Sequence, residues 1–168
     1  LHPFIRNAVG CMEFGGCFLN KRLNRNNDGG TTRRTTDIFQ LATTVLFQNP
    51  VQNFALAPNN LEDVSPVCMD YMKTIPTTWD ETCFIDGYPG KYVVLARRHG
   101  GTWYVAAINA GKETLKLKLD LEMFAGKTVS LYKDDKKGAP QLVPLKVKEN
   151  GKVQLEILPQ GGAVLVNK

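Results

Sequence analysis

The sequence predicts an α+β fold in which a helical part precedes an antiparallel β-sandwich. Two observations support this prediction. The spacing of apolar residues changes from the helical period to alternation near residue 78. From there onward, short apolar segments are separated by turn-forming pairs and no helical pattern intervenes, which is typical of a sandwich. The chain of 168 residues is long enough to bury a core, and it divides into residues 1–77 and 78–168.

The chain begins with an irregular stretch. Residues 1–35 are rich in Asn, Gly and Arg, and the run NRNNDGGTTRR at 24–34 contains no apolar residue. Such a run predicts an exposed loop, and long loops in compact domains are often functional. The sequence does not start with Met and shows no basic leader, so we expect it to be a piece of a longer protein.

An amphipathic helix is predicted over residues 36–48. Thr35 or Thr36 can cap its amino terminus. Asn49-Pro50 ends the helix, because proline disfavours helical backbone at the residue before it. The apolar stripe of this helix consists of Ile38, Leu41, Ala42, Val45 and Leu46.

A second, weaker helix is predicted near residues 61–73, before Ile75-Pro76. No strand is predicted upstream of residue 78. The helical part therefore lacks a sheet of its own, and the apolar stripe of the first helix is expected to need a partner from elsewhere.

Strands are predicted throughout the second part. The clearest alternation is LKLKL at 115–119, with apolar residues on one face and lysines on the other. Asn150-Gly151, between two alternating segments, predicts a hairpin with a type I′ turn. The predicted strands lie near residues 79–86, 91–98, 102–109, 113–119, 128–134, 143–148, 152–158 and 162–167.

Composition and charge exclude several classes of protein. The net charge is +5, but lysines such as Lys116 and Lys118 alternate with apolar residues as on a solvated strand face, so nucleic-acid binding is not expected. No apolar run approaches the roughly 20 residues that span a bilayer. The four cysteines form no CxxC pair and the two histidines add no ligand spacing, so a zinc site is not expected.

A series of motifs runs through the chain in order. They are PFIRNAVG at 3–10, TTDIFQLA at 35–42, NPVQNFA at 49–55, IPTTWDET at 75–82 and GYPGKYVVLARR at 87–98. Together they resemble the carboxyl-terminal portion of glycoside hydrolase family 97, closely up to Asn109 and more weakly to Lys168. The family usually has Asp where this chain has Glu13, and then Tyr-Thr-Pro where this chain has Phe-Gly-Gly.

The resemblance implies an enzyme with an amino-terminal sandwich, a central (β/α)8 barrel and a carboxyl-terminal β domain. Residues 1–77 would be the end of the catalytic barrel, a short helical remnant, and residues 78–168 the β-sandwich. The implied partners are the remainder of the barrel, the amino-terminal domain and, in the intact enzyme, an oligosaccharide. Such enzymes cleave α-glucosidic or α-galactosidic bonds by inversion or retention in the bacterial periplasm. They use a calcium ion, whose ligands would lie upstream of Leu1, so the resemblance implies that no metal or cofactor is bound by this chain.

Three residues near the start are candidates for binding substrate. Glu13 lies beside glycines, where a carboxylate can bind a sugar hydroxyl, and the resemblance places His2 and Arg6 near the floor of the active site. The alternative is structural: Glu13 forms an ion pair with Arg6, and Arg6 anchors the last barrel strands. Glycoside hydrolysis needs two carboxyl groups across the scissile bond, so no catalytic residue is assigned in this chain.

The resemblance also places a seam between barrel and sandwich. Trp79, Asp80, Glu81, Arg97 and Arg98 are predicted to lie there, with the two arginines in ion pairs across it. Adjacent residues of a strand point to opposite faces, so Asp80 and Glu81 are not expected to flank one substrate bond.

Two functions remain open on the sequence. The first is the carboxyl-terminal part of an α-glycosidase, inactive alone, whose β domain supports the barrel; an uncovered apolar face on the first helix would favour it. The second is a carbohydrate-binding or protein-interaction sandwich without catalysis, which an exposed row of aromatic residues on one sheet face would favour. The candidates for that row, or for the core, are Trp79, Tyr92, Trp103 and Tyr104.

Overall fold

The computed structural model describes residues 1–7, 9–14, 17–19, 33–56, 61 and 63–167. Within them lie the helices α1 (Asp37–Leu46) and α2 (Pro66–Met72). The strands are β1 (Cys17–Phe18), β2 (Phe54–Ala55), β3 (Glu81–Tyr88), β4 (Tyr92–His99), β5 (Thr102–Asn109), β6 (Leu115–Asp120), β7 (Thr128–Asp134), β8 (Pro140–Lys146), β9 (Lys152–Ile157) and β10 (Gly162–Val166). Most of the loop predicted at 24–34 lies outside the described residues.

Most strands belong to one antiparallel sheet with the order β3-β4-β5-β10-β7-β8. Strands β6 and β9 pair with each other in a second sheet, which packs on one face of the first. Helices α1 and α2 pack on the other face. This arrangement confirms the predicted α+β fold with an antiparallel β-sandwich.

The central strands of the large sheet carry apolar side chains on both faces. On β4, Val93 and Leu95 face the helices, whereas Val94 and Ala96 face the second sheet. Strand β10, with the sequence GAVLV, is buried at every position. Continuous apolar runs are expected when both faces of a strand are covered. The large sheet is therefore the shared wall of two hydrophobic cores.

Helix α1 lies on the large sheet along its apolar stripe. The hydroxyl of Thr36 accepts a hydrogen bond from the backbone N–H of Phe39 at 3.1 Å, which confirms Thr36 as the cap. Every residue of the predicted stripe is fully buried: Ile38, Leu41, Ala42, Val45 and Leu46. The expectation of an uncovered apolar face on this helix is wrong, because the sheet itself supplies the partner.

The helix approaches the sheet closely at Gly162, the first residue of β10. A Cβ at this position would lie 2.8 Å from the carbonyl oxygen of Ile38 and 2.8 Å from the Cα of Phe39. Both are backbone atoms, which cannot move aside as the end of a side chain can. Only glycine therefore lets α1 settle at this distance from the sheet.

A hydrogen-bonded joint fixes the start of α1 to strand β7. The carboxylate of Asp134 accepts a hydrogen bond from the hydroxyl of Thr36 at 2.8 Å and another from the backbone N–H of Gly162 at 3.2 Å. Asp134 is only 8% exposed. Burial raises its pKa to about 6, an effect that the two hydrogen bonds partly offset.

The first part of the chain contains a β-α-β unit. Strand β1 precedes α1, strand β2 follows it, and the two strands pair in parallel, with Cys17 opposite Phe54. Parallel strands connected through a helix are the repeating unit of a (β/α)8 barrel. The expectation that no strand precedes residue 78 is therefore wrong, and the unit that is present fits a barrel remnant.

All eight strands predicted in the second part are present, and their ends differ from the prediction by at most three residues. The prediction of a hairpin at Asn150-Gly151 is wrong. Strands β8 and β9 belong to different sheets, and the chain turns through a hydrogen bond from the N–H of Gly151 to the carbonyl of Lys148. A type I′ turn needs positive φ at both central residues. Gly151 has a φ of 69°, whereas Asn150 does not have a positive φ.

Candidate functional site

His2, Arg6 and Glu13, the candidates for binding substrate, line one cleft. Its volume is about 540 Å³, and the described residues that complete its lining are Leu1, Ile5 and Met12. The side chains of His2, Arg6 and Glu13 are exposed. Among the described ion pairs, none joins Arg6 to Glu13. The structure thus brings the three residues together without the ion pair that was the structural alternative.

Contacts with the residues after α1 hold this segment in place. The backbone N–H of Met12 donates to the carbonyl of Gln48 at 2.9 Å. The ring of His2 meets the ring of Phe47 edge-on, with centroids 5.8 Å apart. A second cleft of about 470 Å³ shares Met12 and Glu13 with the first, and its other described lining residues are Cys11, Phe14, Asn49, Pro50, Val51 and Asn53.

The position of these clefts limits what Glu13 can do. Residues 11–14 and 49–53 precede β1 and β2, so the second cleft lies at the amino-terminal side of the parallel strands. Active sites of (β/α)8 barrels lie at the opposite, carboxyl-terminal side. Glu13 is also the only carboxylate among the described residues of the two clefts, and retaining hydrolysis needs two carboxyl groups about 5–5.5 Å apart. The described lining of these two clefts can bind a polar ligand but does not hold the pair of carboxyl groups that hydrolysis needs.

Arg98 draws the carboxylates of Asp80 and Glu81 together. Its Nη1 lies 3.6 Å from Oδ2 of Asp80, and its Nε lies 3.2 Å from Oε2 of Glu81. The side chains of Asp80 and Glu81 were expected to point to opposite faces of a strand, but both reach Arg98. Asp80 precedes the first residue of β3, so strand alternation does not apply to it. All three side chains are at least one third exposed, so this network adds little to stability.

Arg97 occupies a different environment. It is 2% exposed, and its Nε and Nη1 have no hydrogen-bond partner within the described part of the chain. Its guanidinium carbon lies 6.0 Å from the ring centroid of Trp79, whose buried indole N–H also lacks an acceptor there. Burial lowers the pKa of Arg97 to about 10. The prediction that both arginines form ion pairs across the seam is therefore wrong for the described residues. The partners of Arg98 belong to the sandwich itself, and Arg97 forms no ion pair with the described residues.

The aromatic candidates do not form a binding platform. The four of them are buried or half-buried and pack into the cores: Trp79, Tyr92, Trp103 and Tyr104. Phe84 and Tyr88 on β3 are 59% and 58% exposed. Phe84 pairs with Leu95 and Tyr88 with Tyr92, so the two rings point to opposite faces of the sheet. The described residues therefore show no aromatic row on one face.

The described residues offer no site for a metal ion. They contain no group of three or more His, Cys, Asp or Glu side chains that could hold one. Burial raises the pKa of the thiols of Cys17 and Cys68 to about 12, so both stay protonated at neutral pH and behave as small apolar groups.

Sequence reasoning missed Asp134, which fixes the helix to the sheet. A signal was available in the alternation of β7, because Tyr132 and Asp134 share a face and that face is covered by the helices. The unpartnered state of Arg97 left no signal in the sequence.

None of the helices in the described ranges has the length and apolar character to cross a membrane.

Residues 78–167 match a family model described as glycosyl-hydrolase 97 C-terminal, oligomerisation. The chain is 29% identical over 178 aligned residues to a retaining alpha-galactosidase of Bacteroides thetaiotaomicron, in an alignment that covers 97% of the chain and 26% of that protein. It is 33% identical over 111 residues to a probable retaining alpha-galactosidase of Streptomyces bingchenggensis, which covers 65% of the chain and 16% of that protein.

Two solved structures are similar to this chain over nearly its whole length. One is the crystal structure of a beta-arabinopyranosidase, with 83% sequence identity and a TM-score of 0.96, covering 99% of the chain and 27% of that protein. The other is a family 97 enzyme from Pseudoalteromonas sp. strain K8 in complex with acarbose, with 23% identity and a TM-score of 0.81, covering 98% and 27%. The chain thus spans between 16% and 27% of the length of these proteins.

Proposed function

This chain belongs to glycosyl-hydrolase family 97, as its carboxyl-terminal part, and from this premise we propose that the protein that carries it hydrolyses β-L-arabinopyranosidic bonds, with α-D-galactosidic bonds as secondary substrates. The observation that carries the proposal is the 83% identity to a beta-arabinopyranosidase over 99% of the chain. The similarity to two retaining alpha-galactosidases supports the same stereochemistry.

The two activities describe one arrangement of hydroxyl groups. A β-L-arabinopyranoside has the ring hydroxyls and the anomeric configuration of an α-D-galactoside and lacks only the hydroxymethyl group. A single site that binds the axial hydroxyl at C4 can therefore accept both sugars. A glucoside has this hydroxyl equatorial, and a site built to hydrogen-bond one hydroxyl discriminates strongly against a sugar that cannot supply it. Of the two specificities left open by the sequence, this reasoning favours the galactoside configuration.

The role we propose for this chain is support of the barrel rather than chemistry. The two clefts that contain Glu13 hold no second carboxylate among their described lining residues, and we infer that the catalytic pair comes from the remainder of the protein. The large sheet buries the whole stripe of α1, and it thereby holds the last barrel elements in position. We further propose that the intact enzyme uses a calcium ion, lies in the periplasm and binds part of its substrate through His2, Arg6 and Glu13. Because the cleft at Glu13 lies at the amino-terminal side of the parallel strands, a sugar bound there would lie away from the scissile bond.

The test of specificity uses the intact protein that contains this chain. Its kcat/KM is measured with the p-nitrophenyl glycosides of β-L-arabinopyranose, α-D-galactopyranose and α-D-glucopyranose. We expect the arabinopyranoside to be preferred over the galactoside by about 10-fold or more, the order that one additional exocyclic group costs in a fitted pocket. The glucoside should be the poorest substrate. A preference for the glucoside would refute the proposal.

Self-association is a second role that the family description favours. Strands β3 and β8 are the two edges of the large sheet, and open edges can pair with another chain. Size-exclusion chromatography with light scattering on the intact protein gives the test. A mass of two or more copies supports this role, and a monomer at micromolar concentration contradicts it.

A further inference from the structure

The sandwich contains a cleft with a strongly basic lining. It is formed by the carboxyl ends of β6 and β8 and the amino end of β9, and its volume is about 740 Å³. Four lysines and one carboxylate line it, and all of them are exposed: Lys118, Lys146, Lys148, Lys152 and Asp120. The described lining of this lysine cleft therefore has three more positive than negative charges.

The pairing of β6 with β9 leaves part of this charge without a counter-charge. Asp120 lies opposite Lys152 and forms an ion pair with it. Lys118 lies opposite Gln154, which is neutral. The described ion pairs include none of three lysines of the cleft: Lys118, Lys146 and Lys148. Their ammonium groups are therefore available to an anion from outside the chain.

The lysine cleft lies on the side of the sandwich away from the barrel elements. Its residues on β6 and β9 belong to the second sheet, whereas α1 and α2 pack on the opposite face of the large sheet. The apolar part of its lining consists of Leu119, Leu145 and Val153, which also belong to the core between the two sheets. A ligand bound there would therefore lie outside the packing of the helices on the sheet.

Strand β8 forms one wall of the lysine cleft, and its outer edge is poorly suited to pairing with a peptide. The backbone N–H of Val147, just after β8, donates to the carbonyl of Lys127 at 2.8 Å. Alternate residues of an antiparallel strand direct their backbone groups to the same side, so the even-numbered residues of β8 direct theirs to the outer edge. Two of these are Pro140 and Pro144, which have no N–H. An acidic peptide that adds as a strand would therefore lack two donors.

A nucleic acid is also a poor match for this cleft. Proteins that bind single strands combine positive charge with aromatic side chains on which the bases stack. The described lining contains no aromatic residue, and its apolar part is aliphatic. A polysaccharide that carries carboxylates needs neither strand pairing nor stacked bases, because the ammonium groups of lysines bind its carboxylates directly.

We propose that the lysine cleft binds a polysaccharide that carries carboxylate groups, and that this polymer also carries the arabinopyranosyl groups that the enzyme removes. This inference rests on the proposed function, because it requires a protein that acts on saccharides. The cleft holds the polymer and takes no part in hydrolysis, since the large sheet separates it from the barrel elements.

Binding of polygalacturonate to the intact protein tests the cleft. Isothermal titration calorimetry measures it at low ionic strength, where exposed charges are least screened. In the triple variant Lys118→Gln, Lys146→Gln, Lys148→Gln we expect the affinity to fall by roughly 10-fold, because three exposed ion pairs are lost. The three lysines are exposed, so their replacement should leave the fold intact, which the thermal midpoint checks.

The matched control is the triple variant Lys112→Gln, Lys136→Gln, Lys137→Gln. It removes the same charge from exposed positions outside the cleft and should bind within about 2-fold of the parent. The fully methyl-esterified polymer, which carries no carboxylate, should not bind. Equal losses in the two variants, equal binding of the methyl ester, equal binding of an oligothymidylate, or no binding of polygalacturonate would each overturn the proposal.

Hydrolysis of the aryl arabinopyranoside separates this inference from the proposed function. This small substrate carries no carboxylate, so its kcat/KM should be the same for the parent and for the triple variant of the lysine cleft. A lower value for that variant would contradict a role limited to holding the polymer. An intact protein without this hydrolysis would refute the proposed function, while the binding of polygalacturonate still decides on the cleft.

Discussion

Asp134 couples the position of helix α1 to pH. Its folded-state pKa of about 6 lies above the ordinary value of 3.8 because the carboxyl group is buried. The folded chain therefore holds this proton more tightly than the unfolded chain does. Below about pH 4 both states are protonated; between about pH 4 and pH 6 the unfolded state releases its proton first, so the free energy of unfolding falls as the pH rises.

The variant Asp134→Asn should lack this fall. The asparagine side-chain oxygen can still accept from Thr36 and Gly162, but it carries no charge to desolvate. A shift from 3.8 to about 6 corresponds to about 3 kcal/mol, so the stability of the variant relative to the parent should rise by up to that amount between pH 4 and pH 7. Urea unfolding at pH 4, 5, 6 and 7 measures it.

Asp135→Asn is the matched control for this prediction. Asp135 lies next to Asp134 in the chain but is not buried. It accepts hydrogen bonds from the backbone N–H groups of Ala139 and Lys137, which lower its pKa. Its removal should change the pH profile in the opposite sense. Parallel profiles for the parent and Asp134→Asn would contradict the account of the joint.

Glu13 separates a binding role from a catalytic one. If Glu13 contributes one hydrogen bond to a sugar, Glu13→Gln in the intact protein should lower kcat/KM by about 10-fold at most, mainly through KM. The control is Glu113→Gln, on an exposed residue of the sandwich, which should leave both constants unchanged. A loss of three or more orders of magnitude in kcat would instead make Glu13 part of the chemistry.

Residue roles that depend on neighbours in sequence could be predicted, and those that depend on distant contacts could not. The sequence limited the helix cap to Thr35 or Thr36, because a cap bonds to an N–H two or three residues away; the structure shows Thr36 with the N–H of Phe39. The joint made by Asp134 needs Thr36, 98 positions earlier in the chain. The sequence likewise placed Arg97 at a seam but could not show that Asp80 and Glu81 serve Arg98.

At the scale of elements, the contact between α1 and β10 depends on Gly162. In Gly162→Ala the new methyl group would meet backbone atoms of Ile38 and Phe39 at 2.8 Å, so the helix must move away from the sheet. We expect a loss of about 1–3 kcal/mol in the free energy of unfolding, as for other overpacked sites. Chemical denaturation of the variant and the parent at one pH measures it.

Gly101→Ala provides the comparison. No atom lies within 4 Å of a Cβ at Gly101, and Gly101 is not among the glycines with positive φ. This substitution should therefore change stability by less than about 0.5 kcal/mol, as is usual at surfaces. Equal losses for the two variants would show that the close approach of α1 is not what Gly162 provides.

The strands were predictable because their alternation is local, whereas their pairing was not. Asn150-Gly151 marks a turn correctly, but nothing in the local pattern shows that β8 and β9 leave it for different sheets. The cover of α1 could have been anticipated from β10, whose unbroken apolar run indicates a strand with both faces buried. The short strands β1 and β2, of two residues each, carry too little pattern to be recognised.

For the molecule as a whole, the division near residue 77 follows the change of sequence pattern, but a hydrophobic core crosses it. Residues of α1 and α2, such as Leu41 and Tyr71, share that core with Val93 and Val164 of the large sheet. The end of the barrel and the sandwich are thus packed as neighbours within one core. This packing is why we assign the sandwich a supporting role in the intact enzyme.

The most direct test of this account compares the 168-residue chain with the intact protein in hydrolysis of p-nitrophenyl β-L-arabinopyranoside. The account predicts turnover by the intact protein and none by the chain alone, because the described lining of the two clefts at Glu13 holds one carboxylate, whereas glycoside hydrolysis needs two. Hydrolysis by the isolated chain that Glu13→Gln abolishes would contradict it.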